Sequence, residues 1–355
     1  MTQHESTLDA AGMLELLEEA VPEIDRLIDG INGARWAAPT PCEDMDVLGL
    51  VEHVVGGLEQ FAAIPTGADG ALGEVTLTPE AALDAFRAAS NRMVSRWAGA
   101  GAADRSYAMP WGETPGTMLL GFMVLEELTH GWDLARATGQ VAGFSDELAA
   151  RTLELARGYD DATIRVPGMF GPAVPVADDA SALDRLAAFL GRDPAAWPAV
   201  ELVDLEPQAM VAVRGEVPIE GLTSFFADAF TTAEKAIARA GVEVTGPPLA
   251  FYPSMPTDAV TVEAGFTTSG PVVTDGDVHR VDLPGGRAAV TVHVGPYDAM
   301  EATYGRLEAW MAGCGLRPGP AMWECYLSDS ASEPDPARWR TRIVWPIRDV
   351  ADTER

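Results

Sequence analysis

Apolar residues recur at helical spacing through the first part of the chain. Over residues 13–31, Leu14, Leu17, Val21, Ile24, Leu27 and Ile28 mark one face of a helix. A turn-rich stretch follows, and Asp46 can then cap a helix carrying Val47, Leu50, Val51, Val54, Leu58 and Phe61. Residues 67–73 read as a loop. Pro79 is placed for the first turn of a third helix through about Trp97. Thr114, Pro115 and Gly116 open a fourth, which runs to Ala137 and stops before Gly139. Long helices at this density predict a four-helix bundle. Shorter helices are expected over residues 145–158 and 180–190.

The pattern changes near Pro198. Residues 203–215 alternate and are Val-rich, which predicts a strand. Residues 219–240 read as a helix, then 249–252 and 259–266 as strands. The order recurs: strand 279–294, helix 298–313, strands 321–327 and 339–347. Residues 210–218 match 290–297 in pattern, 246–252 match 319–326, and Phe266 answers Trp345. The expected fold class is therefore multidomain: an α bundle over 1–197, then an α+β domain over 198–355 made of two β-α-β-β units. A cleft at such a junction suits a small molecule.

Charge narrows the partners. The chain carries 54 acidic and 24 basic side chains, a formal net charge of −30. That opposes nucleic-acid phosphates and anionic membrane surfaces, and favours a neutral or cationic ligand. The first residues lack the basic-then-apolar order of a signal peptide, and the apolar stretch 118–125 is short of a membrane span. The three cysteines, Cys42, Cys314 and Cys325, do not make a disulfide framework. A cytoplasmic location is expected.

Among the five histidines, His53 and His130 fall on expected bundle helices. Glu126 and His130 stand one turn apart on one face. That face also carries Leu119, Phe122, Met123 and Asp133, so the polar pair continues an apolar stripe. A carboxylate placed there needs a partner. A divalent metal held by His53, Glu126 and His130 would supply one and leave a coordination position open, as catalytic zinc does. A buried Glu–His pair that fixes the bundle satisfies the same pattern. Asp133 could orient a ligating His or be a surface acid. Arg136 could receive a substrate carboxylate or be a solvated last-turn Arg. Cys42 lies before a helix N-terminus, where a thiolate is favoured, though a structural role suits it better.

In residues 321–327, Met322, Glu324 and Tyr326 share one face and Trp323, Cys325 and Leu327 the other. If the second set packs on the repeat helices, Glu324 and Tyr326 face the cleft. Aligning Tyr252 with Tyr326 sets Ala250 against Glu324, so the acid belongs to one repeat only. Trp323, Trp345, Phe266 and Tyr252 are candidate walls for an aromatic or cationic ligand. A pairing of Glu324 with Arg340 or Arg342 is the structural alternative. His293 is expected on the sheet's other side.

Two family resemblances refine this reading. The run Trp36-x-x-Pro39-Thr40-Pro41-Cys42-x-x-Met45-x-Val47-x-x-Leu50-x-x-His53-Val54-Val55-Gly56-Gly57 resembles the N-terminal domain of mycothiol-dependent maleylpyruvate isomerases, in the DinB-like superfamily. So do Glu126-x-x-x-His130 with its continuation to Gly139, Phe170-Gly171-Pro172-Ala173-Val174, and the run from Arg185 to Gly191-Arg192-Asp193-Pro194. The resemblance implies a divalent metal, commonly zinc, on His53, Glu126 and His130, and thiol-dependent chemistry with mycothiol as cosubstrate. Met45 stands where relatives carry Trp, and their C-terminal domain is replaced here, so maleylpyruvate isomerisation itself is not implied. The second half is similar to GyrI-like small-molecule-binding domains through Val294-Gly295-Pro296-Tyr297, Trp323-Glu324-Cys325-Tyr326 and the run from Trp339 to Ile347. That likeness implies a cleft glutamate, Glu324, among aromatic rings. In hydrolase relatives it would act as general base, with Tyr326 or Tyr297 as proton donor. No helix-turn-helix precedes it, so an activator role is not implied.

The leading expectation is a metal- and thiol-dependent transferase or isomerase acting on a small hydrophobic or electrophilic molecule, in detoxification or natural-product tailoring. A hydrolase working through Glu324 and a non-enzymatic sequestering protein are the rivals.

Overall fold

The computed structural model describes residues 9–31, 33–42, 45–67, 75–166, 169–176, 180–197, 199–254, 259–272, 276–328 and 332–349. Most of the expected loop at 67–73, His4 and Pro198 lie outside them. The chain divides into two compact units, Met1–Pro198 and Ala199–Arg355.

In the first unit, α1 (Ala10–Asp29), α2 (Val47–Ala63), α3 (Pro79–Trp97) and α4 (Gly116–Thr138) form the bundle. Asp9 caps α1 by accepting from Gly12 N at 2.9 Å, and Asp46 caps α2 by accepting from Gly49 N at 2.8 Å. Gly139, at φ +70°, ends α4 in the left-handed conformation. α1 packs on α4 and α3, and α2 on α3 and α4. Two features were not expected. A hairpin of β1 (Ser106–Met109) and β2 (Gly112–Pro115) leads into α4, and its strands are too short to show an alternation. Residues Val47–Thr66 are also apolar and long enough to span a membrane by composition, but Leu50, Val51, Val54 and Leu58 are bundle core.

α5 (Asp146–Gly158) and α7 (Ala182–Phe189), with the short α6 (Asp161–Ile164) between them, complete the unit. Both α5 and α7 touch α4. That second layer explains why α4 is buried almost all round, from Leu119 through Thr138.

Among the described residues, the second unit is one antiparallel sheet with two α-helices. It contains β3 (Val200–Leu205), β4 (Gln208–Val217), α8 (Leu222–Ala240), β5 (Leu249–Tyr252), β6 (Val260–Thr267) and β7 (Val278–Leu283). β8 (Gly286–Val294), α9 (Met300–Gly313), β9 (Leu316–Pro318), β10 (Met322–Tyr326) and β11 (Arg340–Asp349) follow. The strand order is β3-β8-β11-β10-β5-β6-β4-β7, with β9 on the end of β11. The stretches expected as single strands, 203–215 and 279–294, each break into two at Pro207 and at Pro284-Gly285. Proline cannot donate to a ladder and fixes a turn there.

The repeats are β4-α8-β5-β6 and β8-α9-β10-β11, related across the central β5–β10 pair, where Ala250 lies opposite Glu324. The outer strands cross over: β3, joined to β4, pairs with β8, and β7, joined to β8, pairs with β4. Gly265 in β6 admits no side chain, because a Cβ would sit 1.9 Å from Val211 O.

The two sheet faces differ. Val211, Phe266 and Val278 pack with Ala233 and Ile237 of α8. Met210, Ala212, Leu249, Phe251, Val290, Trp323 and Val344 form a separate core on the other face. The helices therefore cover the face that carries Glu324, and the Trp323 set faces away from them. This reverses the expectation for which strand face meets the helices.

Two candidate sites, one per unit

α4 builds the first site. Its near-complete burial means that polar side chains on it must find partners inside the protein. Glu126 and His130, one turn apart, meet with Oε2 and Nε2 at 2.9 Å. His53 from α2 brings its Nε2 to 3.8 Å from the same carboxylate oxygen. Its ring meets that of His130 edge-on at 4.9 Å. The three ligand atoms lie within 4.8 Å of one another, and the His53 side chain, 44% exposed, opens the group to one side. Donors about 3.4 Å apart surround a tetrahedral zinc with bonds near 2.0–2.1 Å, so small shifts would seat an ion here. The donor chemistry fits as well. His130 Nδ1 is engaged at 3.0 Å by Asp133 Oδ2, which leaves Nε2 to face Glu126.

Without an ion, the group is an ion pair. Burial opposes the charge on Glu126, but its bonds to His130 and His53 prevail and bring the carboxyl down to about 2. Burial likewise opposes the charge on His130, but Asp133 and Glu126 prevail and push it up to about 10. A metal must therefore displace a proton from His130.

Asp133 is fully buried and is gripped by Arg192, Nε to Oδ1 at 2.8 Å and Nη2 to Oδ2 at 2.8 Å. Cys42, His130 and Asp133 also bring donor atoms within 4.8 Å of one another. The Arg192 guanidinium already supplies the cation at that end, so the trio reads as a network around His130 rather than a second metal site. Burial pushes the Cys42 thiol up, which opposes the thiolate alternative and leaves the structural role preferred from the sequence. Arg136, expected as a possible carboxylate receptor, instead pairs with Asp184 and lies over the Trp132 ring at 5.1 Å.

Glu127, beside Glu126, carries no signal in the sequence pattern. It is 1% exposed, and its Oε2 has no hydrogen-bond partner among the described residues. Burial pushes its carboxyl up to about 8. The folded chain thus holds a proton that the unfolded chain releases near 4.5. Stability is full below that value and falls as pH rises toward 8. Between pH 5 and 7.5 the metal-free protein is expected to lose about 3 kcal/mol from this group, and Glu127→Gln to remove that loss. Urea unfolding of both proteins at the two pH values measures it. Parallel losses in the two would refute the assignment.

The second site lies on the helix-covered face of the sheet. Glu324 is 7% exposed and accepts three phenol hydroxyls: Tyr326 at 2.7 Å, Tyr252 at 3.1 Å, and Tyr304 of α9. Around them stand Phe226 and Phe230 of α8, at 5.8 and 6.1 Å from the Tyr326 ring. Tyr297 meets Tyr326 at 5.7 Å and Trp339 at 4.9 Å, and is 42% exposed. Burial raises the Glu324 carboxyl, although each phenol acts to lower it. The three phenols are raised by burial and by Glu324, so they remain donors at neutral pH.

Several expectations change here. Glu324 is paired with tyrosines, not with Arg340 or Arg342; Arg342 stands opposite Cys325, on the other face. Trp323 is not a wall of this group: it packs 6.3 Å from Phe251 in the core behind the sheet. Trp345 is fully buried behind Tyr304, 6.0 Å ring to ring, and Phe266 backs Phe230 at 5.6 Å. His293 lies on the same face as Glu324 and bonds Thr303 Oγ1 of α9 at 2.8 Å. Tyr304 was missed. The repeat held the signal, because α8 and α9 begin four residues after Pro218 and Pro296, which sets Tyr304 at the position of Phe226. The two repeats thus contribute differently: Phe226, Phe230, Phe266 and Tyr252 come from the first, and Tyr297, Tyr304, Tyr326, Trp339 and Trp345 from the second.

Two family profiles match the chain. Residues 17–135 match the mycothiol maleylpyruvate isomerase N-terminal domain, and residues 198–348 match the GyrI-like small molecule binding domain. Uncharacterized proteins from two Mycobacterium tuberculosis strains are 35% identical over 170 residues, which is 47% of this chain and 90% of theirs. Among solved structures, EcmrR in its DNA complex is similar at a TM-score of 0.39 and 18% identity, over 42% of this chain and 57% of that one. The mycothiol-dependent maleylpyruvate isomerase is similar at 0.35 and 19% identity, over 43% of this chain and 70% of that one. SAV2435 bound to tetraphenylphosphonium gives 0.33 and 11%, over 44% and 97%.

Proposed function

Since the chain belongs to the mycothiol maleylpyruvate isomerase N-terminal family over residues 17–135 and to the GyrI-like small molecule binding family over residues 198–348, we propose that it is a metal- and thiol-dependent transferase or isomerase acting on a small hydrophobic or electrophilic molecule. The observation that carries this reading is the convergence of His53, Glu126 and His130 on one point of the bundle. These residues would hold a divalent ion, zinc by preference. Such an ion lowers the pKa of a thiol and keeps it as the thiolate nucleophile. Asp133 keeps the proton of His130 on Nδ1. His53, on the exposed side, leaves room for the cosubstrate, for which mycothiol is the candidate. The second unit would capture a flat, hydrophobic or cationic molecule among the phenylalanines of α8 and the tyrosines around Glu324. Detoxification or tailoring of a reactive natural product suits this pairing.

Cobalt(II) loading tests the proposal. One ion per chain is expected, and added mycothiol is expected to produce a thiolate-to-cobalt charge-transfer band. A protein that takes up no stoichiometric ion, or an ion whose spectrum the thiol leaves unchanged, would sink it.

The buried, raised carboxyl of Glu324 favours a second reading, hydrolysis in the cup with Glu324 as general base. That reading requires Glu324→Gln to abolish turnover and Glu126→Ala to spare it; the leading reading requires the reverse for Glu126→Ala.

A further inference from the structure

The motifs at Phe170–Val174 and Arg185–Pro194 lie far in sequence from the metal ligands. The structure shows what they build. The segment after α6 and the end of α7 are laced together: Val174 N donates to Ala188 O at 2.9 Å, and Phe170 N to Ile164 O at 3.2 Å. Arg165 clamps both, donating to Gly171 O and, at 3.1 Å, to Phe189 O, with its guanidinium 5.1 Å from the Phe189 ring. At the crossing, Gly171 and Gly191 touch backbone to backbone. Gly191 adopts φ +93°, and a Cβ on it would sit 2.5 Å from Gly171 Cα. Only glycine suits both that conformation and that approach.

The residue that follows this crossing is Arg192. Its backbone N–H is held by Ala187 O at 2.9 Å, and its fork closes on both oxygens of the buried Asp133. Asp133 Oδ2 in turn receives His130 Nδ1. A carboxylate fixed on two sides by a guanidinium accepts only, so it dictates that His130 carries its proton on Nδ1 and turns Nε2 to Glu126.

We propose that Arg192 is a positioning residue for the metal centre. The Gly171–Gly191 crossing exists to deliver its guanidinium beneath α4, where it locks Asp133 and, through it, the orientation of the ligand His130. The inference rests on the metal reading of His53, Glu126 and His130. It adds that the α7 end of the unit sets the affinity of that centre without touching the ion. Loss of an outer partner of a ligating His lowers metal affinity about 10–100-fold, and a lysine, which keeps the charge but not the fork, should recover part of it.

The test is cobalt(II) titration of the full chain, read by its visible d–d absorption, with apo-protein unfolding measured alongside. Arg192→Met is expected to bind cobalt about 10–100-fold more weakly and with an altered band. Arg192→Lys should fall between it and wild type. Gly191→Ala, which keeps Arg192 but spoils its delivery, should resemble Arg192→Met. If Arg192→Met does not fold, Arg192→Lys decides. Wild-type affinity and spectrum in the folded Arg192 variants overturn the inference and leave the metal reading standing. A wild-type protein that binds no cobalt overturns both.

Discussion

Replacing His130 with alanine is expected to weaken divalent-metal binding about 10³-fold while the bundle stays folded. Structural zinc binding is worth about 10–16 kcal/mol. Shared among the three donors of this group, that is about 4 kcal/mol each, or three decades in affinity. The fold should tolerate the change because neither remaining acid is stranded. Asp133 keeps both Arg192 bonds, and Glu126, 24% exposed, keeps His53 and reaches water. Glu126→Ala should behave alike, since His130 retains Asp133. Calorimetric zinc titration and thermal unfolding separate the possibilities. If the pair only braces the bundle, both variants lose stability and wild type shows no stoichiometric ion. Loss of a stoichiometric ion in variants that still fold cooperatively is the signature of a ligand set.

The second large effect belongs to the cup. Glu324→Ala removes the acceptor of three buried phenols, and each unsatisfied donor costs about 1–3 kcal/mol. A loss of roughly 3–6 kcal/mol is expected from the second unit, less where a phenol turns to solvent. Glu324→Gln keeps an amide oxygen as acceptor and should restore most of it. The pH dependence adds a sign. The folded carboxyl of Glu324 is raised above its ordinary 4.5, so its contribution is full below that value and declines as pH rises through the folded value. The deficit of Glu324→Gln against wild type should therefore be largest near pH 4 and shrink by pH 8. Denaturant melts across that range measure it. A deficit that grows with pH would show that the fold favours the carboxylate, contrary to its burial among phenols.

Legibility differed between the sites for physical reasons. Glu126 and His130 could be placed from the sequence because a helix puts residues four apart on one face. His53 could be grouped with them as a second histidine on a bundle helix, but its reach to them depends on helix-to-helix packing, which a periodic pattern does not specify; the family likeness strengthened the grouping. Arg192 belongs to a family motif, but nothing in its local pattern says that it crosses to Asp133. In the second unit the internal repeat carried most of the fold, including the Ala250–Glu324 register. Which sheet face the helices cover was misjudged, because the Trp323 face is the more apolar one and yet packs on the sheet's own far strands, with Val203, Leu205 and Val281 against it. The tyrosine cage stayed hidden because Tyr304 comes from α9, and period-two reading of a strand cannot see a helix above it.

The crossed outer strands set how this unit comes into being. Val200 must find Thr291, and Gln208 must find Leu283, before either end of the sheet is tied. Neither repeat can close its own edge, so each half is a partial template until the other arrives. Contacts of such long sequence separation are slow to form. The cage around Glu324 draws its acid from one repeat and its phenyl wall from the other, so it assembles late. During synthesis the chain would pass through a period in which the bundle is complete and the cup does not yet exist.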